Sequence, residues 1–384
     1  MATAIRNYVT EEVNAWAFAV CANRGGLEII DELADEWRAL CAESVDDQPF
    51  FRPEWFQTHL RVFFPGARVV LITARLRDKL CLVLPLVEER GTFSKLPIRW
   101  LRAPVNVHCG RYDAVRRVGQ EGDAAIWATW KYLKECGDWD VLQVRYAPEK
   151  STVCRLLDEA RADGFRLVTI ASRPNPYVPI PSQRDILQQL PRSARLRTKL
   201  RQVRRELASQ GTLRFYRIDK ADPDALRRFY ELEASGWKGK EGSAVICDSQ
   251  MVQFFSDAAE VAARHGYFCL YMLELSGQLI AAHYALILKG RCYAPKVAYD
   301  ENFRQFAPGH LIVAEILKDC AARGVHGFDI TGIDDEWKMK WTAEARPVNH
   351  HWVFAGPRGS FAYTLGIKLR PALRRLFPRV EEIS

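Results

Sequence analysis

Apolar and polar positions along this chain repeat with two periods, and each change of period marks an element. Apolar residues at helical spacing run from Leu27 to Leu40. A second helix starts at Pro53, a residue suited to the first turn because no N–H is needed there. "ARVVLITARLRDKLCLVLPLVEER" reads as a hairpin, with strands Val69–Arg75 and Leu80–Glu88 around a turn at Arg77-Asp78-Lys79. A short strand at Ile98–Leu101, a helix Asp123–Cys136, the strand "DVLQVRYAP", a helix Ser151–Asp163 and the strand "RLVTIAS" follow. "SRPNPYVPIPSQ" holds four prolines and marks a boundary. An edge strand at Tyr177–Ile180 fits inside it, because proline cannot donate to a ladder.

The second half opens with a helix Ser193–Ser209, whose Leu196, Leu200, Val203 and Leu207 share one face. Gly211 ends it, "TLRFYRI" is a strand, and helices follow at Asp222–Ala234 and Ser249–His265. "YFCLYMLEL", "QLIAAHYALIL" and "RCYAPKVAY" are joined by turns at Ser276-Gly277 and Lys289-Gly290, which predicts an antiparallel meander. After a break at Ala307-Pro308-Gly309-His310 come a helix Gly309–Arg323, a strand "GFDI" and a last strand near Trp352. The two halves share an element order without a direct sequence repeat. The pattern predicts an α/β protein of two similar units, 1–180 and 181–360, followed by a basic tail, 361–384, that reads as a helix interrupted at Pro371.

Composition adds limits. With 384 residues, 48% hydrophobic and 27% charged, the chain has the make-up of an ordinary globular protein with two self-sufficient cores. A net charge of +8 permits a phosphate-bearing partner without requiring one. The ten cysteines include no C-x-x-C and no zinc spacing with histidine, so no metal centre is expected. "AWAFAVCA" is short and follows Glu11 and Glu12, unlike a secretory signal. No run approaches the roughly 18 apolar residues of a membrane span. The expected location is the cytoplasm, where buried free thiols persist. G-x-G-x-x-G, G-x-x-x-x-G-K-[ST] and G-x-S-x-G are all absent.

The break before the last long helix is the main candidate site. A helix start leaves N–H groups without intrahelical partners, and its dipole favours an anion. Gly309 allows close approach of a ligand, and Pro308 fixes the entry of the chain. The alternative is a plain Pro-Gly turn.

Four stretches carry a family resemblance: "PFFRPEWFQTHL", "SARLRTKLRQVRRELASQG", "YAPKVAYDENFRQFAPGHLIVAEIL" and "FDITGIDDEWKMKW". In order and spacing they resemble the GNAT-type acyltransferases of the cellulose-biosynthesis CelD group, which are similar to the Fem-type aminoacyltransferases. The resemblance implies two tandem GNAT-like domains with mixed, largely antiparallel central sheets flanked by helices. It also implies an acyl-CoA co-substrate, acetyl-CoA or longer, whose diphosphate sits at Ala307, Pro308, Gly309, His310 and Leu311. Ala307 stands where the family usually has Ser, and Gly332 lies one position early.

Acyl transfer needs an amine to lose a proton, a donor for the oxyanion and an acid for the leaving thiolate. His283 is a candidate base, or else a packed histidine; an unperturbed imidazole titrates near neutrality. Tyr299 is a candidate acid, and Asp300 either holds the amine or opens a turn. Glu54, Trp55, Trp237, Asp329 and Lys338 are candidate substrate contacts. Against these stand a core role for Trp55, a mobile loop around Trp237 and an exposed Lys338. The basic helix, with Arg192, Arg195, Arg197, Lys199, Arg201, Arg204 and Arg205, is a solvated face or a phosphate-binding one. The tail from Lys368 to Arg379 is a candidate contact with an anionic membrane. Three functions compete: an acyl-CoA-dependent transferase acting on an envelope or exopolysaccharide precursor, a Fem-like enzyme using aminoacyl-tRNA, and a non-catalytic scaffold.

Overall fold

A computed structural model describes residues 5–9, 16–108, 110–181 and 190–368. The expected helix around Pro371 and most of the basic tail lie outside the described residues.

In chain order the strands are β1 (Arg6–Val9), β2 (Ala17–Gly25), β3 (Arg68–Leu76), β4 (Lys79–Phe93), β5 (Leu96–Arg102), β6 (Val115–Arg116), β7 (Val141–Pro148), β8 (Arg166–Ala171), β9 (Asn175–Pro179), β10 (Leu213–Ile218), β11 (Phe268–Leu275), β12 (Gln278–Leu288), β13 (Arg291–Tyr299), β14 (Gly327–Asp329), β15 (Ala345–Arg346) and β16 (Val348–Phe354). The helices are α1 (Glu28–Ala42), α2 (Pro53–Phe63), α3 (Gln120–Cys136), α4 (Thr152–Ala162), α5 (Ala194–Gln210), α6 (Pro223–Ser235), α7 (Trp237–Lys240), α8 (Ser249–Arg264), α9 (Pro308–Ala322), α10 (Glu336–Met339) and α11 (Gly356–Tyr363). No helix of the described residues is long and apolar enough to cross a membrane.

The chain forms two compact units that exchange segments. One comprises Met1–Pro53, Phe64–Ser172 and Val348–Ser384; the other comprises Glu54–Phe63 and Arg173–Pro347. In the first, the sheet runs β1-β2-β3-β4-β5-β7-β16-β8, with β6 beside β4. In the second it runs β10-β11-β12-β13-β14-β9-β15. Both sheets are mixed and flanked by helices, as the family resemblance implies.

Three features depart from the sequence pattern. From Ala17 onward "AWAFAVCA" lies in β2, where Phe18, Val20 and Ala22 alternate into the core. The strand at Trp352 joins the first sheet, between β7 and β8. The proline-flanked β9 lies between β14 and β15 instead of at an edge. Its ladders are only three and two residues long, so its prolines forgo few donors.

In the second unit, Leu200, Val203 and Leu207 of α5 are buried as their spacing predicts. Leu200 and Leu207 join Leu311, Ile312, Leu317 and other α9 residues on one face of the sheet. Each such burial contributes about 1.5–3 kcal/mol. Phe255 of α8 packs against Tyr284 of β12 on the other face.

Each sheet contains one parallel pair bridged by a helix: β5 and β7 through α3, and β13 and β14 through α9. β13 pairs with β14 only from Arg291 to Tyr293, yet continues to Tyr299. β14 ends at Asp329, opposite Tyr293, and Thr331 Oγ1 just beyond it donates to Ala294 O at 3.0 Å, so the rest of β13 runs on without a β14 partner.

Candidate functional site

β13 runs on past the end of β14 toward the start of α9. Ala307 adopts φ 48°, the left-handed conformation that costs an L-residue roughly 1–2 kcal/mol. Pro308 follows at the first helical position and supplies no N–H. The His310 and Leu311 amides both donate to Ala307 O, each at 3.0 Å. Of the first-turn amides, that of Gly309 has no acceptor among the described residues. A Cβ at Gly309 would lie 3.3 Å from Tyr299 Cδ1, so Tyr299 stands directly beside this amide.

Trp341 Nε1 donates to His310 Nδ1 at 3.0 Å. Nδ1 is therefore an acceptor, and the neutral ring carries its proton on Nε2. Burial pushes His310 down to about 4, and the charges of Lys340 and Lys199 push the same way. The helix start thus gathers one open amide, one neutral N–H donor and two cations.

His283 lies on the same side of the sheet as Tyr299, because His283 faces Val297 across the ladder and Ala281 faces Tyr299. Its ring reaches 6.5 Å from that of Phe328 on β14. It is 0% exposed, and neither ring nitrogen has a partner among the described residues. Burial, and then the Lys238 charge, push it down to about 3. At neutral pH this imidazole is uncharged and, without a ligand, a weak base. Asp300 is buried and caps the turn after β13: Oδ1 accepts from the Asn302 amide at 2.9 Å and Oδ2 from Gln278 Nε2 at 3.1 Å. Tyr299 is 36% exposed.

The other candidates are spread through the second unit. Glu54 and Trp55 lie on α2, buried; Glu54 Oε1 accepts from Tyr267 at 3.3 Å and Trp55 packs edge-on to Phe254. Trp237 is exposed, but its amide is clamped by Glu301 Oε1 at 2.8 Å, while Lys240 takes Oε2 at 3.0 Å. Asp329 Oδ1 accepts from the Thr331 amide at 3.0 Å. Lys338 is buried and donates to Thr331 O at 3.0 Å and Ile333 O at 2.9 Å, with Asp335 at 3.3 Å. Burial lowers its pKa. It therefore pins the loop that follows β14.

Sequence reasoning missed the pair Lys238–Glu233, at 2.6 Å, which ties α7 to α6. It also missed the contact of Lys238 Nζ with Val297 O at 2.8 Å, which holds this segment against β13. "GWKGK" signalled a loop, but nothing in it announced that Lys238 turns inward.

The acetyltransferase (GNAT) domain family matches residues 194–339, from α5 to α10. Among solved structures, FemX is similar at 13% identity, over 90% of this chain and 98% of that chain, with a TM-score of 0.57. A conserved protein of unknown function from Bacteroides thetaiotaomicron VPI-5482 is similar at 8% identity, over 84% and 97%, with a TM-score of 0.54. At these identities the likeness is one of fold. No curated protein matches the sequence.

Proposed function

We propose that this chain, whose residues 194–339 match the acetyltransferase (GNAT) domain family, is an acyltransferase that moves an acyl group from acyl-CoA to an amine or hydroxyl. The acceptor is an envelope or exopolysaccharide precursor, in keeping with the CelD-like motifs. The observation that carries the reading is the run of β13 past the end of β14, beside a helix start with an open Gly309 amide and no acid in its first turn.

In this reading the donor's diphosphate rests on Gly309 N–H and His310 Nε2–H, with Lys199 and Lys340 supplying charge. The thioester lies along the unpaired edge of β13 beyond Tyr293, whose backbone polarises the carbonyl. The acceptor's N–C or O–C bond forms as the C–S bond breaks. Asp300 orients the nucleophile, the proton it loses passes to solvent, and Tyr299 protonates the thiolate and regains a proton from solvent. His283 stays neutral behind the strand as a hydrogen-bonding group.

Calorimetry and thermal shift with acetyl-CoA and longer acyl-CoAs test this. An acyl-CoA at ~100 times its dissociation constant should stabilise the protein by about 2.7 kcal/mol. If none of them binds, the proposal fails. A Fem-like use of aminoacyl-tRNA is the second reading. It is favoured by Arg195, Arg201 and Arg205, which are exposed on α5 with no carboxylate within 4.0 Å among the described residues. Salt-sensitive binding of charged tRNA, with no acyl-CoA response, would select it.

A further inference from the structure

Beyond Tyr293, β13 presents different side chains to its two faces. Tyr299 faces α9 and touches Gly309. Lys296 faces the other way: it stands across the ladder from Tyr284, whose ring packs on Phe255 of α8 at 5.5 Å. Lys296 Nζ lies 5.0 Å from the centre of that Phe255 ring. Among the described residues no carboxylate comes within the 4.0 Å of an ion pair with it.

Glu233, the acid whose charge acts on Lys296, is already occupied. Its Oε1 accepts from Lys238 Nζ at 2.6 Å and its Oε2 from the Val245 amide at 2.8 Å. Lys238 is itself tied to Val297 O, next to Lys296 in the chain. Two ammonium groups therefore share one carboxylate. The aromatic face of Phe255 compensates an ammonium only in part. A half-buried cation short of a counter-ion is costly to the folded state, and its pKa falls accordingly, through burial first and Lys238 after. An anion arriving at this point would reverse both effects.

We propose that Lys296 receives an anionic group of the acyl acceptor, a carboxylate or a phosphate, on the face of β13 opposite the donor seat. That the anion belongs to an acceptor rests on the acyl-transfer reading; the anion site itself does not. An acceptor anchored there presents its nucleophile to the part of β13 beyond the end of β14, from the side away from α9. This separates donor and acceptor across one strand and selects acceptors whose amine or hydroxyl lies near a negative charge.

Lys296→Met keeps the length of the side chain and removes its charge. In thermal-shift titrations with sodium acetate and with inorganic phosphate, the wild type should gain stability from at least one anion. Lys296→Met should start with a higher melting temperature and show no anion-dependent gain. Lys220→Met, at a side chain 80% exposed, should behave as the wild type. The anion with the larger shift identifies the acceptor's group. In parallel, 13C-dimethylation of the lysines and NMR should give a Lys296 signal, assigned by its loss in Lys296→Met or Lys296→Arg. That signal should titrate below the exposed lysines and rise with the anion. Equal anion responses in wild type and Lys296→Met, or a Lys296 signal indifferent to both anions, would overturn the site, and the NMR arm stands even if Lys296→Met does not fold. Acetyl-CoA calorimetry separates the two proposals. Lys296→Met should bind acetyl-CoA within about twofold of wild type, since the donor seat lies on the other face. Failure of the wild type itself to bind any acyl-CoA would sink the donor reading and leave the anion site standing.

Discussion

α3 and α9 occupy the same topological place, each bridging the single parallel strand pair of its sheet, and they start in opposite ways. The first turn of α3 holds Glu121 and Asp123, and Asp123 is engaged by Arg116 at 2.8 Å. The positive end of that helix dipole is filled by the chain's own carboxylates. The first turn of α9 holds no acid; it has Pro308, Gly309 and His310, with the charges of Lys199 and Lys340 acting on the histidine. Gly122 of α3 is crowded, since a Cβ there would fall 1.8 Å from Arg117 O, whereas Gly309 leaves its amide open beside an aromatic ring. The same architecture thus carries a helix start without acids in one unit and one whose dipole meets the chain's own carboxylates in the other. The difference lies in a few residues at the first turn, with the strand–helix–strand frame common to both.

The largest expected effect on donor binding comes from closing the helix start of α9. Gly309→Val places a branched side chain against Tyr299, whose Cδ1 would stand 3.3 Å from even the first added carbon. Acyl-CoA affinity should fall by more than about tenfold, an energy of ~1.4 kcal/mol or more. Calorimetry on a variant with an unchanged circular dichroism spectrum checks this; unchanged affinity would remove α9 from the donor site.

Acid should separate the two units next. His310 and His283 have folded pKa values of about 4 and about 3, below the 6.5 of a free imidazole. The unfolded state therefore binds protons first, so this stability is complete above about pH 6.5 and declines as pH falls toward those values. Lowering the pH from 7 to 5 should cost the second unit about 2 kcal/mol per histidine. In the first unit His351, pushed down to about 4 by burial, acts in the same sense. Asp113 opposes it there: burial raises its carboxyl to about 7, so the folded state takes up a proton as pH falls. Hydrogen exchange should show the second unit losing protection before the first; the reverse order would contradict the assignment.

The smallest effect belongs to α3. Glu121→Gln removes one favourable charge at its start and should destabilise the protein by about 0.3–1 kcal/mol, read as a shift in the urea midpoint. Acyl-CoA affinity should not change, because Asp123 still occupies the helix end.

Much of this arrangement is legible along the chain. The meander β11–β12–β13 follows from its hydrophobic runs and its Ser-Gly and Lys-Gly turns, and the buried face of α5 from a four-three-four spacing. These are local signals, since period and turn chemistry act over a few residues. The open first turn of α9 is equally local, written in Pro308-Gly309. By contrast, β16 crosses into the first sheet from the far end of the chain, and β9 joins an interior position, because a strand's neighbours are set by which edge remains unpaired. His283 reads as a plausible near-neutral base until α9 covers its face of the sheet and leaves it at 0% exposure.

The sequence by itself determined most of the elements and the acid-free first turn of α9, because propensity, periodicity and caps depend on near neighbours. Only the tertiary structure decided which charges meet. Lys238 binds Glu233 within one segment but also reaches Val297, and Lys296 is left without a carboxylate, through contacts between residues about sixty positions apart. Protonation and counter-ion balance depend on burial and on distance in space, and neither is a property of position along the chain.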